Sequence, residues 1–183
     1  MKINREIIIS LILITVFSLF KFYNLDGGLN LGEPDEFTHY EVANNFNDSL
    51  WPFYSGGFWF YELPLYPFLG YLFSLLFGGK YLGLRLVSAL ASVALTFGLY
   101  LYLRAKISHR SGLAAALIFT FSPMAVYYSR IGTLDMSVLA FSLLFLFAYD
   151  LSLSRRSLAL AAISSIFLGL AILVKYSAFI YLL

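Results

Sequence analysis

No cysteine occurs among the 183 residues, which removes disulfides, thiolate metal sites and cysteine nucleophiles and leaves the redox compartment open. Charge is scarce too: Asp, Glu, Lys and Arg make up 12% of the chain, against about a quarter in soluble domains. There is no internal repeat, no low-complexity tract and no polar stretch long enough for a separate soluble domain. What fills the chain is apolar. With 61% hydrophobic residues and a mean hydropathy of +0.82, it reads as an integral membrane protein. The formal net charge of +2 says little about partners, and no nucleic-acid partner is expected.

Apolar runs near the roughly 20 residues that cross about 30 Å of hydrocarbon occur at Ile7–Tyr23, Leu82–Leu103, Gly112–Tyr128, Leu134–Leu151 and Leu158–Val174. The first lacks a small-residue cleavage site and reads as an anchor. A shorter run, Leu63–Gly78, holds two prolines and suits an interfacial helix as well as a crossing. The cations discriminate. Lys2 with Arg5, the group Arg104, Lys106 and Arg110, and the pair Arg155 and Arg156 share one side only if the chain crosses once between Tyr61 and Arg104. The expectation is an all-α bundle of five spans with a cytoplasmic N-terminus. An outer loop, 24–81, would carry helices near 34–47 and 63–78, and a second outer turn would span Ser129–Asp135. Six spans would instead put Arg104–Arg110 outside and Asp135 inside. The final run, "YSAFIYLL", has no polar stop, so a longer membrane domain is expected to follow.

Under the five-span topology Asp26, Glu33, Asp35, Glu36, Glu41, Asp48, Glu62 and Asp135 face the outer side, eight of the ten acids. Acids contribute little to orientation, so topology does not explain this concentration. In "GEPDEFTHYE" Pro34 suits a first helical position, and Asp35 and Glu36 occupy a first turn, where the macrodipole favours anions. Ordinary helix chemistry accounts for one acid there, not for all of them. Asp35 and His39 share a face at i, i+4, which allows an acid/base pair or two metal ligands, although a single histidine on such a helix is more often a surface residue. Asn47–Ser49 fits the glycosylation acceptor pattern.

Glu62, before Pro64, either caps the next helix or reaches toward Asp35. Trp51, Phe58, Trp59, Phe60 and Tyr61 fit an interfacial aromatic belt, and the same rings stack on sugars. In "SPMAVYYSRIGTLDM" Thr133 can cap the following helix and Arg130 can sit on the carbonyl end of the preceding one. A cation beside Asp135 near the interface equally suits a phosphate. Lys175 and Arg85, at the edges of spans, are functional candidates unless they only snorkel.

The order of these features resembles the N-terminal part of the C-type glycosyltransferases. It is similar in particular to the dolichyl-phosphate-mannose protein mannosyltransferases and the bacterial aminoarabinose lipid A transferases. The elements are a span, an outer loop with Asp-Glu, an aromatic-Glu-x-Pro-Leu-Tyr stretch, "GLRLVSAL", "SPMAVYYSRIGTLDM" and a span ending in lysine. The resemblance implies a multi-span helical membrane enzyme that takes a sugar from a polyprenyl phosphate carrier and transfers it, with inversion, to a protein or lipid/glycan acceptor on the outer face. Asp35 and Glu36 match the family's acidic motif, whose aspartate serves as base or acceptor-positioning group. Glu62 matches the polar position before the proline stretch, and Arg130 with Asp135 matches an Arg-x4-Asp turn. His39 and Lys175 join the substrate-binding candidates. One departure concerns the donor. Related chains carry Glu-Lys-Pro or His-Pro where this one has Glu62-Leu63-Pro64, which leaves the identity of the donor open and makes Arg130 and Lys175 the candidates to replace the missing cation at the donor phosphate. A divalent metal through Glu62, with His39 or the Asp35–Glu36 pair, is allowed for but not required. The competing classes are an ion-coupled transporter, whose charges belong near the bilayer midplane, and a non-catalytic membrane subunit.

Overall fold

The computed structural model describes residues 5–26, 33–48, 51–54, 57–58, 62–79 and 81–182. Ser49 and the aromatics Trp59, Phe60 and Tyr61 lie outside the described residues. Helix α1, Arg5–Leu19, runs on as a 3-10 turn, Phe20–Phe22, and is followed by α2, Pro34–Asn45. A two-residue hairpin, β1 Phe53–Tyr54 against β2 Gly57–Phe58, leads to α3, Leu65–Phe77. The rest is helical: α4 Leu82–Lys106, α5 His109–Phe121, α6 Pro123–Tyr128, α7 Asp135–Arg155, α8 Leu158–Val174 and a 3-10 segment Tyr176–Leu182.

Helices α4 and α7 are long and apolar enough to cross a membrane. At 1.5 Å per residue they measure about 37 and 31 Å. The apolar run Gly112–Tyr128 forms two helices, because Pro123 has no N–H to give the ladder and drives Ser122 into an extended conformation, ψ 127°. Helix α4 is the axis of the bundle, packing against α3, α5 and α7, while α7 and α8 form an antiparallel hairpin. That hairpin turns at Arg156, which adopts a left-handed φ of 50°, and restarts at Ser157, whose hydroxyl accepts the Leu160 N–H.

Many of the residues facing inward are small. On α4 the buried set includes Gly83, Ser88, Ala89, Ser92, Thr96 and Gly98. Large apolar side chains point outward, among them Ile12, Leu90, Ile118, Leu139, Leu153 and Ile166. Small residues let helices approach, and an outward coat of Ile and Leu matches hydrocarbon rather than water as the surrounding solvent.

Each end of the bundle has its own chemistry. One end gathers the α4–α5 and α7–α8 turns, where Lys106 pairs with Asp150 and where His109 is bonded by Ser10 and Tyr100. The other gathers α2, α3, the turn 129–134, the start of α4 and the end of α8. Helix α3 packs against the first half of α4, with Ser74 against Gly83, Gly70 against Leu84 and the Tyr66 hydroxyl against Ser88.

This close approach depends on Gly83. A Cβ there would overlap Ser74 Oγ and the Gly70 carbonyl oxygen and would sit 2.7 Å from the Ser74 nitrogen. Backbone cannot step aside cheaply, so Gly83→Ala is expected to destabilise the protein by about 1–3 kcal/mol through overpacking. Thermal unfolding in detergent measures this; an unchanged midpoint would mean the two helices are not seated this closely.

Candidate functional site

Glu36 is the centre of the polar end of the bundle. Pro34 opens α2 with its fixed φ, which places Asp35 and Glu36 in the first turn on different faces. Glu36 points inward and is 6% exposed. Its carboxylate takes a two-pronged contact from Arg85, with Nε to Oε1 at 2.7 Å and Nη2 to Oε2 at 2.8 Å. Oε1 also accepts the Gly132 N–H at 2.6 Å. The remaining arm of Arg85 donates to the Leu25 carbonyl at 2.7 Å. One carboxylate thus ties α2 to α4 and to the turn before α7, and Arg85 adds the segment after α1. The planar guanidinium fits this fork; a lysine would not. Gly132 is required at the crossing, since a Cβ would lie 2.9 Å from the Leu84 Cβ and 3.0 Å from Glu36 Oε1.

One turn further along α2, His39 is buried and faces two acceptors. Its Nε2 lies 2.8 Å from Glu62 Oε2 and its Nδ1 lies 3.3 Å from the Gly132 carbonyl oxygen. The ring thus bridges Glu62 and the turn before α7. The sequence allowed an Asp35–His39 pair; the structure gives His39 to Glu62 instead, because His39 turns toward the core whereas Asp35 is exposed and makes no hydrogen bond among the described residues. Glu62 does not cap α3 either. The residue at that cap is Pro64, with no side-chain bond.

Beneath His39 the ring of Tyr66 stands edge-on, 5.3 Å between centroids. Its hydroxyl lies 2.8 Å from Ser88 Oγ and 3.0 Å from the Leu84 carbonyl, and Ser88 donates to the Thr133 carbonyl at 2.9 Å. Burial pushes the Tyr66 phenol well up from its ordinary pKa, so it serves as a neutral strut.

Arg130 and Asp135, which flank the turn, separate. Arg130 Nη2 donates to the Tyr23 carbonyl at 2.8 Å and its guanidinium lies 5.7 Å from the Phe20 ring. It is thus held by the segment after α1, not by the carbonyl end of α6, and its Nε is buried without a partner among the described residues. Asp135 opens α7 and meets Lys175 Nζ at 3.4 Å, both side chains more than a third exposed. Thr133 does not cap α7; the cap residue is Leu134, and the Thr133 hydroxyl is buried and unbonded among the described residues. Glu33 accepts from the Tyr127 hydroxyl at 2.9 Å, a second tie between α2 and the α6–α7 turn.

Beside Glu62 opens an apolar cleft of about 460 Å³, lined by Phe46, Trp51, Phe58, Leu63, Pro64, Phe68, Leu173 and Tyr176 among others. Leu173 and Tyr176, near Lys175 in the chain, line the cleft, whereas the Lys175 ammonium lies against Asp135. As metal donors, Glu62 and His39 are adjacent, but among the described residues no group of three His, Asp or Glu side chains converges. Two donors alone do not fit a divalent cation, which takes six or more oxygen ligands as calcium or magnesium and four ligands as zinc.

The residues fall into two clusters and two outliers. Glu36, His39, Arg85 and Gly132 form a continuous buried network that ends on half-buried Glu62; Asp135 and Lys175 form a separate pair; Arg130 is held by the Tyr23 carbonyl, and Asp35 stands on the solvent side of α2. Tyr66 and Lys21 are not among the site residues expected from sequence, although both leave a signal there: Tyr66 closes the Glu-x-Pro-Leu-Tyr stretch, and Lys21 is a charge inside an otherwise apolar run.

Residues 62–183, about two thirds of the chain, match the sequence model of the family described as dolichyl-phosphate-mannose-protein mannosyltransferase. The matched region holds Glu62, Arg85, Arg130, Asp135 and Lys175 and begins after Asp35, Glu36 and His39. No curated protein and no solved structure matches the chain.

Proposed function

Since this chain belongs to the dolichyl-phosphate-mannose-protein mannosyltransferase family, we propose that it moves a sugar from a polyprenyl phosphate carrier to a protein or lipid/glycan acceptor at the extracytoplasmic face of a membrane. The observation that carries this reading is Glu36. Through it the Asp-Glu helix, which lies before the matched region, is locked to Arg85 and Gly132, which lie within it. The acidic loop and the Arg-to-Asp turn therefore form one end of one bundle.

In the proposed reaction an acceptor hydroxyl attacks the anomeric carbon of the donor sugar. The bond from that carbon to the carrier phosphate breaks, the phosphate leaves with the electron pair, and the hydroxyl proton passes to Asp35. A solvent-facing carboxylate suits the base, because among the described residues no donor is hydrogen-bonded to it. Arg130 and Lys175 meet the charge that builds on the departing phosphate. Glu36 holds α2 in place, and the Glu62–His39 pair borders the apolar cleft, which offers room for isoprenoid units of the carrier. A lipid-linked donor keeps its tail in hydrocarbon and its headgroup in water, which fits a site at the polar end of the bundle.

Arg130→Gln keeps the side chain's length and hydrogen-bonding capacity but removes its charge. Charge-assisted hydrogen bonds contribute about 1.5–3 kcal/mol, so donor binding is expected to weaken by about 10–100-fold. Titration of the full-length protein in liposomes with a polyprenyl-phosphate sugar checks this, and unchanged affinity would remove Arg130 from the donor site.

A further inference from the structure

Lys21 takes no part in the reaction above, yet it is fully buried. A lysine at the end of an apolar helix can extend its stem toward the polar boundary. This one turns inward. Its Nζ donates to Ser92 Oγ at 2.7 Å, to Thr96 Oγ1 at 3.1 Å and to the Ser92 carbonyl at 3.5 Å, and it lies 5.0 Å from the Phe119 ring centroid. All three acceptors are neutral oxygens, located about 15 Å or more from the start of α4 at 1.5 Å per residue. Burying an ammonium without a carboxylate is costly, so the contact must hold something in place.

What it holds is the short strap that follows. Phe20, just before Lys21, lies against the Arg130 guanidinium, and the Tyr23 carbonyl accepts from Arg130 Nη2 at 2.8 Å. Asn24 then takes a left-handed φ of 50°, a conformation that asparagine tolerates better than most residues. The turn presents the next carbonyl, Leu25, to Arg85 Nη1 at 2.7 Å. The strap therefore contacts two arginines, and among the described residues Lys21 is the side chain that hydrogen-bonds its deep end to α4.

We infer that Lys21 is a positioning residue for glycosyl transfer: it anchors the strap Phe20–Leu25 to Ser92 and Thr96 and thereby sets where the Arg130 guanidinium lies. This rests on the reading of Arg130 as a ligand for the donor phosphate. Two measurements on the full-length protein test it. In kinetics, Lys21→Met is expected to lower kcat/KM for a polyprenyl-phosphate sugar by about tenfold, at the low end of the loss expected for Arg130→Gln. In the Arg130→Gln background the same change should cost less than about twofold, because residues acting through one contact are not additive. A full, additive loss in that background overturns the inference.

The second measurement does not use activity. These 183 residues hold no cysteine, so a nitroxide on Tyr23→Cys, a site 69% exposed, reports the strap once any cysteine elsewhere in the full-length protein has been replaced by serine. Its electron paramagnetic resonance spectrum should sharpen in Lys21→Met, and an unchanged spectrum overturns the anchoring role. Should Lys21→Met fail to fold, Ser92→Ala with Thr96→Val releases the ammonium without deleting it and carries the same two expectations. If Arg130→Gln itself leaves donor kinetics unaltered, the reading of Arg130 falls and the inference falls with it. Failure of Lys21 alone looks different: Arg130→Gln still weakens the donor, and Lys21→Met does not.

Discussion

Asp35→Asn is expected to slow sugar transfer by about 10²–10⁴-fold, the range over which a positioned general base usually contributes. The side chain is exposed and makes no hydrogen bond among the described residues, so an isosteric amide removes the proton acceptor and no contact. Stability should stay within about 0.5 kcal/mol of the parent, as for surface changes away from packed features. Donor binding should also be retained, since the phosphate contacts proposed here belong to Arg130 and Lys175. Single-turnover transfer of a labelled sugar, run beside equilibrium donor binding, separates the two quantities. Loss of both together would place Asp35 in donor binding, and unaltered transfer would remove it as the base.

Glu36→Ala should behave in the opposite way, failing in stability before it can be judged in catalysis. The change strips Arg85 of both carboxylate contacts and Gly132 of its N–H acceptor. It leaves a guanidinium that is 2% exposed without its counter-charge. Breaking one half of a buried ion pair costs about 3–5 kcal/mol, whereas replacing both halves with apolar groups of similar volume is often close to neutral. Arg85→Met alone should be nearly as damaging as Glu36→Ala, and Glu36→Leu with Arg85→Met should recover much of the lost stability. Thermal unfolding of the purified variants gives the comparison. If the two single losses simply add in the double variant, the contact is not the interior tie described here.

Much of the scaffold is legible from local chemistry. Pro34 marks the start of α2 because its φ is set and its missing N–H is no loss there, and Pro123 marks a break for the converse reason. The division of labour between Asp35 and Glu36 is not legible. Adjacent residues on a helix point about 100° apart, and only the position of Arg85, far along the chain, decides which of the two acids turns inward. Likewise i, i+4 spacing suggests Asp35 for His39, but tertiary packing buries the ring against Glu62 and Gly132. Lys21 shows the same limit: its charge in an apolar run is visible, but its acceptors on α4 exist only after folding.

The measurement closest to the central claim is sugar transfer by the full-length protein in liposomes, with labelled mannose offered either on a polyprenyl phosphate or on a nucleotide. The account predicts that label reaches the acceptor from the polyprenyl carrier alone and that Asp35→Asn slows its arrival by about 10²–10⁴-fold. Label arriving from the nucleotide sugar, or arriving from the carrier at the same rate without Asp35, would contradict it.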